Sequence, residues 1–98
     1  MKINIRKEIA ELSDEIYSYR RHFHKYPELS FKEFKTAETI SKYLKEFGIK
    51  HKKNVGKTGV VGEICFGPGQ TIALRADMDA LPIQEKGSLD YKSRNDGV

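Results

Sequence analysis

Cysteine is almost missing from this chain: the one residue present, Cys65, has no partner for an internal disulfide. It stands in the apolar run GVVGEICF, where a free cysteine is expected to behave as a small buried hydrophobe. Long apolar runs are missing too. No stretch reaches the ~20 residues that a membrane-spanning helix needs. Met1 to Ala10 lacks the continuous apolar segment of a secretory signal, so a cytoplasmic location without membrane association is expected. There is no internal repeat and no low-complexity segment. Ninety-eight residues allow one small domain and not two. With 38% apolar and 33% charged residues, such a domain buries little surface.

The net charge of +4 is unevenly spread. Residues 1–58 carry fourteen Lys and Arg against eight Asp and Glu, whereas residues 59–98 carry four against six. Lysines neutralise phosphates, so the cluster Lys50, Lys52 and Lys53 raises nucleic-acid binding as a reading. Glutamates interleave the basic residues, and no stacking aromatics accompany the cluster. A solvated helix surface fits better, and no nucleic-acid partner is expected.

Two helices are written in the apolar spacing. Ile5, Ile9, Leu12, Ile16, Tyr19 and Phe23 recur at intervals of four and three, which predicts an amphipathic helix over about 4–24 that stops before Pro27. The same spacing would suit a coiled-coil seam, but three heptads and a proline stop favour core packing. Ser30 followed by Glu33 has the form of a capping box. It opens a second predicted helix over about 31–47, with Phe34, Ala37, Ile40, Leu44 and Phe47 on its buried face and Gly48 as left-handed C-cap.

Beyond Gly48 the period becomes extended. GIKHKKNVG reads as a short polar edge strand whose lysines discourage edge pairing. GVVGEICF reads as a largely buried strand, GPGQ (67–70) as a tight turn, and TIALRA as the returning strand. The tail after Pro82 is polar and rich in turn residues. Two helices and a hairpin leave the expected sheet with open edges and an uncovered face. The chain therefore reads as the opening of a larger α/β domain.

Several motifs fail on their spacing. Gly56-Lys57-Thr58 resembles the end of a phosphate-binding loop, but that pattern needs a glycine where His51 stands and a helix where an apolar strand follows. His22 and His24 lie two apart, so they cannot share a helical face toward one ion. A structural place near Pro27 or simple exposure suits them. His51 has no partner suggested by the sequence.

The pair Asp77 and Asp79 is different. In TIALRADMDALPI (71–83), Ile72, Leu74, Ala76 and Met78 alternate with Arg75, Asp77 and Asp79. Ligands of α/β sheets gather at the carboxyl ends of strands. Two aspartates on one face, about 6–7 Å apart by the ~3.3 Å rise per residue, suit a hard cation or the support of metal-bound histidines. An Arg75–Asp77 bridge with a purely structural role fits equally well.

RRHFHKYPELSFKE (20–33), TGVVGEI (58–64) and IALRADMDALPIQE (72–85), in this order and spacing, resemble the metal-dependent aminoacylase and carboxypeptidase (M20) family. The similarity is greatest to its hippurate hydrolase and N-acyl-L-amino-acid amidohydrolase branch. The resemblance covers the whole chain, with RADMDALPIQE its most specific part. It implies that residues 1–98 are an incomplete N-terminal portion of a zinc-aminopeptidase-like α/β catalytic domain, two helices followed by a β-hairpin of an incomplete mixed sheet. It implies hydrolysis of the amide bond of N-acyl amino acids by metal-activated water, with Zn, Mn, Co or Ni as the ion and a homodimer as the full-length form.

Carried over residue by residue, the resemblance yields little. Asp79 aligns with an aspartate that orients metal ligands from behind them, and Asp77 with the histidine that precedes it in related branches. The family's Cys-Gly-His-Asp ligands, its glutamate base and its later histidines have no counterpart here. Cys65 is in the wrong context to replace them. The resemblance thus implies that this chain alone binds no metal and is inactive. The other reading is an interaction module whose exposed sheet edge pairs with a separately encoded remainder.

Overall fold

A computed structural model describes residues 4–98; the first three residues of the expected 1–98 unit lie outside it. Three helices precede a two-stranded sheet: α1 (Lys7–Glu11), α2 (Ser13–Lys25), α3 (Phe34–Glu46), β1 (Lys50–Val55) and β2 (Gly59–Glu63). The predicted first helix is present as α1 and α2. It is interrupted at Leu12, whose N–H turns back to Ile9 O at 3.1 Å, before Ile16 N regains Leu12 O at 3.0 Å. Helix α2 gives way at Tyr26, whose backbone leaves the helical region ahead of Pro27.

Helix α3 begins at Phe34, three residues later than the sequence predicts, and not by the means expected. Ser30 does not cap it. The chain turns at Phe31, a non-glycine residue at φ 60°, and a carboxylate from further back arrives instead. Glu28 Oε1 accepts hydrogen bonds from Thr36 N at 2.6 Å and Thr36 Oγ1 at 2.7 Å, and Oε2 accepts from Lys35 N at 3.3 Å. Orphan donors of the first turn are thereby satisfied, with negative charge at the positive end of the helix.

The C-terminus of α3 follows the sequence. Gly48 takes φ 71°, Gly48 N donates to Lys45 O at 3.0 Å, and Ile49 N donates to Leu44 O at 2.8 Å. This is the paired bonding of a Schellman cap, and it turns the chain directly into β1.

The hairpin is not the one predicted. β1 pairs antiparallel with β2 in the register Lys50↔Glu63, His51↔Gly62, Lys52↔Val61 and Val55↔Gly59. The turn is Gly56-Lys57-Thr58 rather than GPGQ. Asn54, Gly56 and Lys57 all adopt positive φ there, and a register irregularity lies between Lys52 and Val55. The expected returning strand TIALRA is extended sequence without a ladder. Among the described residues the isolated bridge Leu29↔Ala80 lies four residues past its end. Alternation fixes which face a residue occupies; a strand also needs a hydrogen-bonded neighbour, and among the described residues none lies beside 71–79.

The core is correspondingly small. α3 lies against both strands, yet among the described residues Ala37 is the one buried apolar side chain. Ile40 and Leu44 are half-buried, while Phe34 and Phe47, expected inside, are exposed. Cys65, expected to be buried, is also exposed, since β2 ends two residues before it. Gly62 leaves room beside α3: a Cβ there would stand 3.4 Å from Ile49 Cγ2 and 3.6 Å from Leu44 Cδ1. Tyr19 of α2 meets Tyr43 of α3 with ring centres 4.6 Å apart. The Tyr19 hydroxyl also donates to Glu15, and that bond pushes its pKa up to about 12.

Candidate functional site

The three sequence stretches that stand out by resemblance meet around the loop between α2 and α3. At the start of α3, Thr58 Oγ1 from the hairpin turn donates to Glu33 Oε2 at 2.6 Å, and Phe31 N donates to Glu33 Oε1 at 2.9 Å. Glu33 and Thr58 are only 5% and 6% exposed, so this is a buried carboxylate with its acceptors in use. The Thr58 bond, chiefly, holds the Glu33 pKa below the ordinary carboxylate value, against the opposing effect of burial.

On the other side of the loop, the tail folds back over 60 residues. His24 Nε2 lies 2.8 and 3.0 Å from the two carboxylate oxygens of Glu85. Ser93 N donates to Glu85 Oε1 at 2.9 Å. The His24 hydrogen bond and then that of Ser93 lower the Glu85 pKa. Arg94 N donates to Lys25 O at 2.8 Å, Asn95 Nδ2 to Pro27 O at 2.6 Å, and Gly97 N to Gln84 Oε1 at 2.6 Å. Tyr91 completes the clasp: it receives the His24 ring edge-on with centres 5.4 Å apart, and the Arg21 guanidinium stands 4.9 Å from its ring centre.

Asp77 and Asp79 lie on the segment that leads into this clasp. Ala80 N donates to Glu28 O at 2.8 Å and Leu29 bridges Ala80 in parallel, so the strand end is moored one residue beyond Asp79. Both aspartates are exposed. Asp77 Oδ1 receives Arg75 Nη2 at 2.9 Å, the bridge that the sequence left open. Among the described residues no three of His, Cys, Asp and Glu come together to hold an ion. The donors present do not fit a complete metal centre. What this arrangement does is carry two exposed carboxylates on an extended segment moored at Ala80.

The sequence singles out Asp77 and Asp79, reads Glu33 only as a capping-box partner of Ser30, sets Thr58 aside with a failed phosphate-loop motif, and gives Glu28 and Glu85 no role, although all four lie inside the quoted motifs. The signal was their presence in those motifs. His24, read as structural or exposed, is structural.

The chain is similar along nearly its whole length to enzymes that cleave amide and peptide bonds. It is 44% identical to thermostable carboxypeptidase 1 of Saccharolobus solfataricus, over 96% of this chain and 24% of that protein. It is 41% identical to the N-acyl-L-amino acid amidohydrolase of Geobacillus stearothermophilus, over 99% of this chain and 26% of that one. It is 45% identical to the hippurate hydrolase of Campylobacter jejuni, over 98% and 25%. Among solved structures, the YxeP protein of Bacillus subtilis, described as a dinuclear metal binding peptidase from the M20 family, superposes with a TM-score of 0.81 at 41% identity. That match covers 90% of this chain and 25% of the other. The chain spans about a quarter of the length of the curated relatives it matches. No family model matches it.

Proposed function

The chain belongs to the M20 family of amidohydrolases and peptidases, and we propose that it forms one wall of such an enzyme's catalytic domain. In this reading the whole enzyme hydrolyses the amide bond of N-acyl amino acids in the cytoplasm and uses a divalent ion (Zn, Mn, Co or Ni). Most of the ligands and the general base come from polypeptide beyond these 98 residues. Asp79 supports a ligand from behind, and Asp77 stands beside it. In the same reading dimer formation rests on other parts of the whole enzyme, and neither nucleic acid nor membrane is a partner. The observation that carries this reading is identity above 40%, across nearly the whole chain, to relatives named for hydrolysis of N-acyl amino acids and hippurate.

The chain by itself is inactive in this reading, because two carboxylates on one strand neither complete an ion's coordination nor supply a base. The purified chain should release no amino acid from hippurate or N-acetyl amino acids with any of the four ions added. Coexpression with the complementary length of an M20 enzyme should restore hydrolysis, and Asp79→Ala should then lower kcat/KM by about tenfold or more. Turnover by the chain alone would overturn the proposal.

A second reading, a non-catalytic module that pairs through its sheet edge with a separately encoded remainder, is favoured by one observation. The 8913 Å² surface exceeds the roughly 5,700 Å² expected of a self-contained chain of this mass. Ile72 and Leu74 on the unpaired segment are 88% and 98% exposed. Binding of the complementary length without any recovered hydrolysis would select this reading over the first.

A further inference from the structure

Ser41 and His51 lie outside all three motif stretches and take no part in the proposed hydrolase site. Ser41 sits midway along α3 and His51 is the second residue of β1, so the packing of helix on hairpin brings them together. Ser41 Oγ lies 2.6 Å from His51 Nε2, and His51 Nδ1 lies 2.9 Å from the carbonyl oxygen of Ile49. A carbonyl only accepts, so Nδ1 carries the ring proton, Nε2 presents its lone pair, and the Ser41 hydroxyl donates to it. Nucleophile, base and orienting group thus stand in the order that activates a serine. Facing His51 on β2 is Gly62, so no polar side chain from that register position competes for the imidazole. Both residues are partly exposed.

We propose that Ser41 is a His51-activated nucleophile that accepts acyl groups from activated esters, a reactivity independent of any metal. Ser41 Oγ bonds to the acyl carbonyl carbon as its proton passes to His51 Nε2. The bond from that carbon to the leaving oxygen then breaks, and the imidazolium returns the proton to the leaving group. The product is acyl-Ser41.

The chain as it stands is treated with p-nitrophenyl acetate, and the acetyl adducts are mapped by peptide mass spectrometry. Acetylation of Ser41 is expected on the order of 10²-fold faster than that of Ser13, Ser18, Ser30, Ser88 or Ser93, the factor typical of a positioned general base. His51→Gln keeps an acceptor for the Ser41 hydroxyl but removes the base. It should lower the Ser41 rate by about the same factor, with the helical circular dichroism unchanged. Equal acetylation of all serines, adducts on lysines alone, or a wild-type rate in a folded His51→Gln chain would each overturn the proposal. If that variant fails to fold, the wild-type adduct map decides the matter alone.

Discussion

A buried carboxylate is the most informative single residue in this fold. Glu33 is held ionised by Thr58 and by the Phe31 amide, and its pKa lies below the ordinary 4.5. The folded state therefore binds this proton less readily than the unfolded chain does. The stabilisation is complete above pH 4.5 and is lost as the pH falls through the lowered value. Glu85, lowered by His24, has the same sign. Urea midpoints measured between pH 7 and pH 3 should fall on acidification, and Glu33→Gln should flatten that dependence while lowering the midpoint at pH 7. Glu28 offers a second test. Replacing it with alanine strips the first turn of α3 of its acceptor and should cost about 1 kcal/mol in denaturant unfolding. The sequence disclosed that a cap was needed near residue 30 but pointed to Ser30. Local patterns reach three or four residues, whereas Glu28 acts on Thr36 from eight residues back, around the positive-φ turn at Phe31.

At the scale of elements, helix ends were more legible than strand partners. The four-and-three spacing located α2 and α3, and Gly48 marked a stop that the backbone confirms at φ 71°. Gly48→Ala forces a Cβ into that left-handed position and should destabilise the chain by about 1 kcal/mol. Its effect should be seen as fraying of α3 from the C-terminal end in amide exchange. The hairpin was misplaced because two stretches carry turn residues, Asn54 to Thr58 and Gly67 to Gln70. Only the first has chain on both sides able to pair and α3 to lie on. Extended character in TIALRA was legible from its alternation, but a partner for it was not, since pairing depends on what lies alongside and not on the strand itself. Asp77 and Asp79 share this fate: the sequence puts them at the end of a strand, and the segment that carries them is extended without pairing.

For the whole molecule, the decisive quantity is compactness. A radius of gyration of 16.0 Å exceeds the roughly 13 Å of a compact chain of about 100 residues. Phe66, Ile72 and Leu74 stand almost wholly in solvent. Unfolding should accordingly expose little new surface, with a urea m-value below about 1 kcal/mol/M. An apolar dye should bind the native chain and be displaced when a complementary polypeptide covers residues 64–76. The clasp between His24 and Glu85 closes across 61 residues, and that between Pro27 and Asn95 across 68. The contacts of α3 with the hairpin close far shorter loops, and their entropy is repaid at once by burial around Ala37. Time therefore enters the structure. As the chain is synthesised, helix and hairpin can settle before the clasp residues emerge, and the extended segment bearing Asp77 and Asp79 is moored after them. The same order reversed makes the tail the first part to open, and a protease that cuts near Gly67 to Gln70 would leave the helical half folded behind it.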